Sequence, residues 1–148
     1  MKIFFAGPLT NLPDPEKTKL FYTNLGALAR KYSHEPFWAF LAGTDPIKNP
    51  EVTPAEVYKR DTEQLTKSDL MIAYVGEAST GTGDEIEYAN ARNIPVIIMY
   101  EKGNKMSRMI LGNPAVKKSI VFETEDQALK ELEAYFVSVS PKAPPLAS

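Results

Sequence analysis

The sequence predicts an α/β domain: a five-stranded parallel sheet wound by helices on both faces, flavodoxin-like or Rossmann-like in plan. Three observations carry that expectation. Short apolar runs recur along the chain without polar alternation, as strands buried on both faces require. Stretches of helical periodicity separate them, which is the pattern of a parallel sheet with crossover helices. The length, 148 residues, suits one domain.

The elements follow in order. Lys2–Ala6 is apolar and reads as the first strand, closed by Gly7-Pro8. Glu16–Tyr32 has helical spacing, with Leu20, Phe21, Leu25, Leu28 and Ala29 on one side. His34 to Phe40 is aromatic and reads as a second strand, and Gly43–Val52, with Asp45, Pro46, Asn49 and Pro50, reads as loop. Thr53-Pro54-Ala55-Glu56 is a helix start with Thr as N-cap, Pro at the first helical position and Glu completing a capping box. That helix is expected to run to about Lys67. Asp69–Val75 is the third strand, Gly76–Gly83 a loop of small residues, and Asp84–Arg92 a short helix. Ile94–Tyr100 is the fourth strand, Lys105–Leu111 a short helix, and Ser119–Phe122 the last strand. Thr124–Val137 closes the domain as an amphipathic helix, with Thr124 and Gln127 as a second capping box. The domain is therefore 1–137, and the tail 138–148, with three prolines and little apolar content, is expected to be disordered.

Composition narrows the chemistry. The 17 basic and 19 acidic residues give a net charge of −2, with no excess of cations to neutralise nucleic-acid phosphates or an anionic membrane. There is no Cys and one His, so a disulfide framework, a thiolate zinc site and a multi-histidine metal site are all excluded. No metal or organic cofactor is implied. No apolar stretch approaches the ~20 residues that span a bilayer, and no signal peptide is visible. A cytoplasmic protein is expected.

In a doubly wound sheet ligands bind at the carboxyl ends of the strands, so the segments after Ala6, Val75 and Tyr100 are where chemistry is sought. Ser79-Thr80-Gly81-Thr82-Gly83-Asp84-Glu85 turns from strand to helix. Backbone N–H groups there attract anions, and Gly7, Gly81 and Gly83 permit close approach. Glu85 sits beside this turn, although acids at a helix start are also favoured by the helix dipole alone. Ile86 stands where a dinucleotide fingerprint needs its third Gly, and no Gly-Lys-Ser/Thr follows as a P-loop would require. Asp61 lies four residues from both Val57 and Leu65, inside the apolar stripe of its helix. An inward carboxylate is costly unless paired or used, or else it marks the stripe's edge. Trp38 and its neighbours Phe37 and Phe40 are core or a stacking surface for a flat ligand. His34 is a packed or rim residue, or a ligand contact.

Together these segments resemble the nucleoside 2-deoxyribosyltransferase superfamily, with its 2′-deoxynucleoside 5′-phosphate N-hydrolase and CMP N-glycosidase branches. The resemblance rests on Ile3-Phe4-Phe5-Ala6-Gly7-Pro8-Leu9, Arg60-Asp61 with Ser68-Asp69-Leu70, Ser79-x-Gly81-x-Gly83-x-Glu85-Ile86 and Ile94-Pro95-Val96, and covers Lys2 to about Pro114. It implies that Glu85 is a nucleophile at the anomeric carbon and that Asp61 is the acid assisting departure of the base. Ser79 matches the hydrolases' phosphate-binding serine, where transferases carry an acid. Ser107 resembles a second such serine that reaches into a neighbouring subunit, with Asn113 as a rival for that contact, so a homo-oligomer, dimer or higher, with shared sites is implied. Phe4 stands where deoxy-selective members carry Tyr, which leaves room for a 2′-hydroxyl. No Arg lies near Thr10, as it does in many of the hydrolases. The function implied is N-glycosidase action on a nucleoside 5′-monophosphate, deoxy or ribo, through a glycosyl–Glu85 ester. The alternatives are base exchange on free deoxynucleosides and, from another class, a nucleotide-sensing module without catalysis. The substrate or ligand is a small nucleotide or nucleoside in each case.

Overall fold

A computed structural model describes residues 1–140. The element order is β1 (Lys2–Ala6), α1 (Pro15–Lys31), β2 (Glu35–Trp38), a 3-10 turn (Ala39–Leu41), α2 (Pro54–Thr66), β3 (Leu70–Tyr74), α3 (Thr80–Ala91), β4 (Val96–Glu101), α4 (Arg108–Leu111), β5 (Val116–Phe122) and α5 (Glu125–Val139). The sheet is parallel throughout, in the order β2-β1-β3-β4-β5. This is the flavodoxin-like order, with its switch point between β1 and β3.

Alternation along β1 divides the core in two. Ile3 and Phe5 face the layer that holds Phe21, Leu25 and Ala29 of α1 and Leu132 and Phe136 of α5. Phe4 and Ala6 face the layer of Leu65 from α2 and Ile86 and Ala89 from α3. Each central strand is therefore covered on both sides, which is why it reads as an unbroken apolar run.

Several local expectations are corrected. Strand β2 is shorter than His34–Phe40, because its ladder with β1 ends at the Phe5–Trp38 pair and the chain then coils into the 3-10 turn. On α1, Leu20 is 60% exposed while Tyr22 is fully buried, so the inward face is rotated from the one expected. Gly26 lets that face approach Trp38, since a Cβ there would lie 3.3 Å from the indole Nε1. On α2 the capping box of Thr53 and Glu56 forms as expected, but Tyr58 is exposed and Asp61 and Leu65 carry the buried face. The small residues of the 76–83 loop are partly helical: Ser79 caps α3 by accepting the Thr82 N–H, and the helix starts at Thr80.

The remaining differences lie in the C-terminal third. Helix α4 is shorter than expected, β5 begins at Val116, and α5 continues to Val139, which takes residues 138–139 out of the expected tail. Residues 141–148 of that tail lie outside the described residues. At the start of α5, Thr124 accepts the Gln127 N–H, but the Gln127 side chain accepts from Glu123 N rather than from the cap residue. Among the described residues no helix is long and apolar enough to cross a membrane.

The capping box satisfies two orphan donors at the start of α2, the helix that carries Asp61. Thr53→Ala should lower unfolding stability by about 1 kcal/mol in urea titration, with the slope unchanged.

Candidate active site

A cleft of about 1130 Å³ opens at the carboxyl ends of β1, β2 and β3. Ala6 and Gly7 form part of it, the segment from Thr44 to Val52 forms one wall, and the facing sides of α2 and α3 form another. Asp61 and Glu85 both line it, brought together from helices on the same face of the sheet.

The electrostatics of this pair are unusual. Asp61 is 9% exposed, and its Oδ1 is buried without a hydrogen-bond partner. Loss of hydration pushes its carboxyl up to about 6, although the Thr44 hydroxyl and the Arg60 guanidinium pull it back. Glu85 is half-buried, and loss of hydration followed by the nearby charges of Asp61 and Asp84 pushes it up to about 8. Two carboxyls that feel each other in this way titrate as a unit. Between those two values the pair holds one proton and one negative charge.

Ser79 stands at a third corner. Its Oγ accepts from Thr82 N at 3.2 Å and from Thr82 Oγ1 at 3.1 Å, which leaves its own O–H free to donate. The first N–H groups of α3 have no partner within the helix and attract an anion. Gly81 lines the cleft here; Gly83 does not, and its α-carbon faces open space. Among the described residues the one Lys or Arg in the cleft wall is Arg92, stacked 3.4 Å over the Tyr88 ring at the far end of α3.

Two buried tyrosines shape the turns that rim the site. Tyr22 donates to Pro8 O at 3.0 Å, and its ring and hydroxyl fill the space a Cβ on Gly7 would need. Tyr74 donates to Glu101 Oε1 at 2.7 Å and crowds Gly76 in the same way. Asn104 donates to Gly76 O and to Glu101 Oε2, tying the turn after β3 to the end of β4. Gly7 is therefore required by the tyrosine behind it as well as by any ligand in front.

Other expected site residues lie elsewhere. Trp38 reaches the cleft only at its edge, because Phe5 stacks on one face at 5.0 Å and Tyr22 on the other at 4.4 Å, and no face is free for a ligand. Phe4 is fully buried against Phe37 and is not part of the wall. His34 precedes β2, and since β2 runs parallel to β1 its start is at the opposite end of the sheet. There His34 meets the Met1 amino group at 3.4 Å and the Phe136 ring. Ser107 is exposed at the start of α4, makes no capping bond and lies outside this cleft. Asn113 also lies outside it, donating to Glu87 Oε2 at 2.9 Å and accepting from Ala115 N at 2.9 Å.

Asp45 was not singled out by its sequence context, which reads only as loop. It is fully buried and pairs with Lys19 Nζ at 2.6 Å, while its other oxygen accepts from Ile47 N and Lys48 N. Burial opposes its ionisation, but Lys19 and the two N–H groups prevail and hold its carboxyl below the usual range. Among the described residues no three acidic or histidine side chains are grouped as a metal ion would require.

The sequence profile described as Nucleoside 2-deoxyribosyltransferase matches residues 3–133. The chain belongs to the nucleoside 2-deoxyribosyltransferase family. A relative from Syntrophotalea carbinolica, provisionally named 2′-deoxynucleoside 5′-phosphate N-hydrolase 1, is 45% identical over 64 residues, 42% of this chain and 45% of its own. A relative from Methanosarcina mazei with the same provisional name is 39% identical over 87 residues, 59% of this chain and 54% of its own. The chain thus spans about half the length of these relatives. The structure of CMP N-glycosidase BcmB from Clostridium botulinum superimposes with a TM-score of 0.72 at 22% identity, covering 91% of this chain and 99% of that one. That likeness establishes a shared fold.

The raised carboxyls fix the sign of a pH effect on stability. Both groups hold their protons more tightly when folded, so the stabilising contribution is complete below about pH 4 and is lost as pH rises through about 6 for Asp61 and about 8 for Glu85. Asp61→Asn should therefore be more stable than the parent at about pH 8.5, by about 2 kcal/mol, and the gain should vanish near pH 4. Thermal melts across that range read the difference directly.

Proposed function

We propose that the protein is an N-glycosidase that cleaves the base–sugar bond of a nucleoside 5′-monophosphate through a covalent glycosyl–Glu85 intermediate. The observation that carries this reading is the convergence of Asp61 and Glu85 in one cleft beside the Ser79-capped start of α3. The names borne by the relatives, hydrolases of 2′-deoxynucleoside 5′-phosphates, support the same substrate class.

The chemistry needs the pair's single proton on Asp61; the larger upward shift places it on Glu85, so it passes from Glu85 to Asp61 once a nucleotide is bound and before the attack. Ionised Glu85 attacks C1′ as the bond from C1′ to the base nitrogen breaks, and Asp61 gives its proton to the departing base. The ionised Asp61 then takes a proton from water, whose oxygen bonds C1′ as the Glu85 carboxylate leaves. The products are the free base and a sugar phosphate with a hydroxyl at C1′. Both transition states carry positive charge on the sugar, which the remaining carboxylate stabilises. No step calls for a metal or an organic cofactor.

The phosphate is held by the Ser79 hydroxyl and the N–H groups that open α3. Arg92 is at the wrong end of that helix to help. A phosphate site short of donors in its own chain favours a homo-oligomer in which the exposed Ser107 of one subunit completes the cleft of the next. Asn113 is less suited to that task because its amide is already engaged. Phe4, buried behind the wall, brings no hydroxyl to crowd a 2′-hydroxyl, so ribo and 2′-deoxy substrates both belong to the proposal. A cytoplasmic place of action belongs to the same proposal.

Chromatography of released base from a panel of ribo- and deoxynucleosides and their 5′-monophosphates tests the reading. Base release from monophosphates is expected. Release only when a second free base is supplied, with formation of a new nucleoside, would identify the transferase instead, and saturable binding without release a sensor. Glu85→Ala should lower turnover at least ~10³-fold with the fold intact, and Asp61→Asn ~10²–10⁴-fold. kcat/KM should rise as pH passes about 6 and fall above about 8, the limits of the singly protonated pair. Ser79→Asp should depress monophosphate cleavage selectively, by placing a like charge against the phosphate.

A further inference from the structure

The wall from Thr44 to Val52 has no regular secondary structure and five exposed members, Pro46, Ile47, Lys48, Pro50 and Glu51. Its shape must be imposed from elsewhere. Asp45 does this from inside the protein. One carboxylate oxygen accepts from Ile47 N at 2.8 Å and Lys48 N at 3.2 Å, and its own carbonyl accepts from Asn49 N at 2.8 Å, so one residue folds the segment into a compact turn. The other oxygen takes the Lys19 ammonium, which fastens that turn to α1. Next to it, Thr44 donates to Ala39 O and lies beside Asp61.

We infer that Lys19 and Asp45 are positioning residues, whose buried ion pair holds the 44–52 segment in place as the wall of the cleft and thereby sets how tightly substrate is bound. The inference rests on the proposal that a nucleotide occupies this cleft. Neither residue is offered as touching the reacting bond. Asp61 itself sits on α2, whose start is secured independently by the Thr53–Glu56 capping box. Thr44, the wall residue beside Asp61, is tied by its own hydroxyl and N–H to Ala39 O, so loosening the turn that Asp45 folds should leave the carboxyl pair in place. A contact made equally in ground and transition states changes KM and spares kcat.

The chemistry of the pair also fixes the order of its variants. Lys19→Met keeps the aliphatic stem but strands a buried carboxylate, which is the more damaging loss. Asp45→Asn removes the charge and keeps an oxygen for the Ile47 and Lys48 N–H groups. The double variant removes both charges and should recover much of what Lys19→Met loses.

The test uses the full chain with the monophosphate that is cleaved best, or in the absence of cleavage with deoxycytidine 5′-monophosphate. Lys19→Met should raise KM about tenfold with kcat within about twofold, Asp45→Asn should raise it less, and the double variant should fall below Lys19→Met. In a Glu85→Gln background, which binds without turnover, calorimetric Kd should follow the same order. Unchanged KM and Kd in Lys19→Met, or a loss in kcat alone, would overturn the positioning role while base release by the parent protein keeps the glycosidase reading. A parent protein that releases no base, but whose Kd still weakens in Lys19→Met, would remove the glycosidase and leave the positioning role standing. Folding is monitored by circular dichroism, and hydrogen exchange confined to 44–52 in Asp45→Asn gives an independent reading if Lys19→Met fails to fold: faster exchange supports the role and unchanged exchange overturns it.

Discussion

Two carboxyl groups that repel each other in a poorly hydrated crevice set the terms for the rest of this structure. Asp61 and Glu85 would both be ionised in water, and in the cleft each is held back by lost hydration, Glu85 further by the charge of its neighbour. That arrangement persists only because rigid elements impose it. Asp61 shares its helix with the fully buried Leu65, and Glu85 is adjacent to the buried Ile86. Both anchors pack into the layer beneath Phe4, Ala6, Met71 and Ala73. Core packing on one face of the sheet thus opposes an electrostatic penalty at its edge, and the strain is retained where chemistry can use it.

The turns around the pair are shaped from behind. Tyr22 and Tyr74 occupy the space that side chains at Gly7 and Gly76 would need, and each spends its hydroxyl on a neighbouring acceptor. A cleft rimmed by backbone follows, and the rings of Phe5 and Trp38 that reach it belong to an aromatic stack with Tyr22. The stack explains why Trp38 does not offer a ligand surface: its faces are already used to hold α1 against the sheet. Opposite, a buried ion pair gives form to a wall that has no hydrogen-bonded ladder of its own.

Much of the site was legible along the chain. Asp61 stood out because a carboxylate interrupted an apolar stripe, and Ser79 to Glu85 because small residues and an acid opened a helix. Direction along a strand was not legible. His34 and Trp38 flank one aromatic strand, yet His34 lies at the amino end of β2 and Trp38 at its carboxyl end, where it lines the cleft. Residues four apart on an extended strand stand on opposite rims of a sheet, and composition carries no direction. Asp45 was missed for the converse reason: in a loop rich in Pro and Asn, an Asp is ordinary until Lys19 is seen across from it.

By itself the sequence determined the fold class, the alternation of strands and helices, the capped start of α2 and the two acids on which catalysis would rest. These are local properties, written in periodicity of two or 3.6 residues and in the preferences of single positions. Only the tertiary structure decided which aromatic faces stay free, which end of the sheet each candidate occupies, and which buried carboxylate is paired and which is left to titrate. Those outcomes depend on what crosses from one element to another, and the free energy of a buried charge or ring is a property of its surroundings in space.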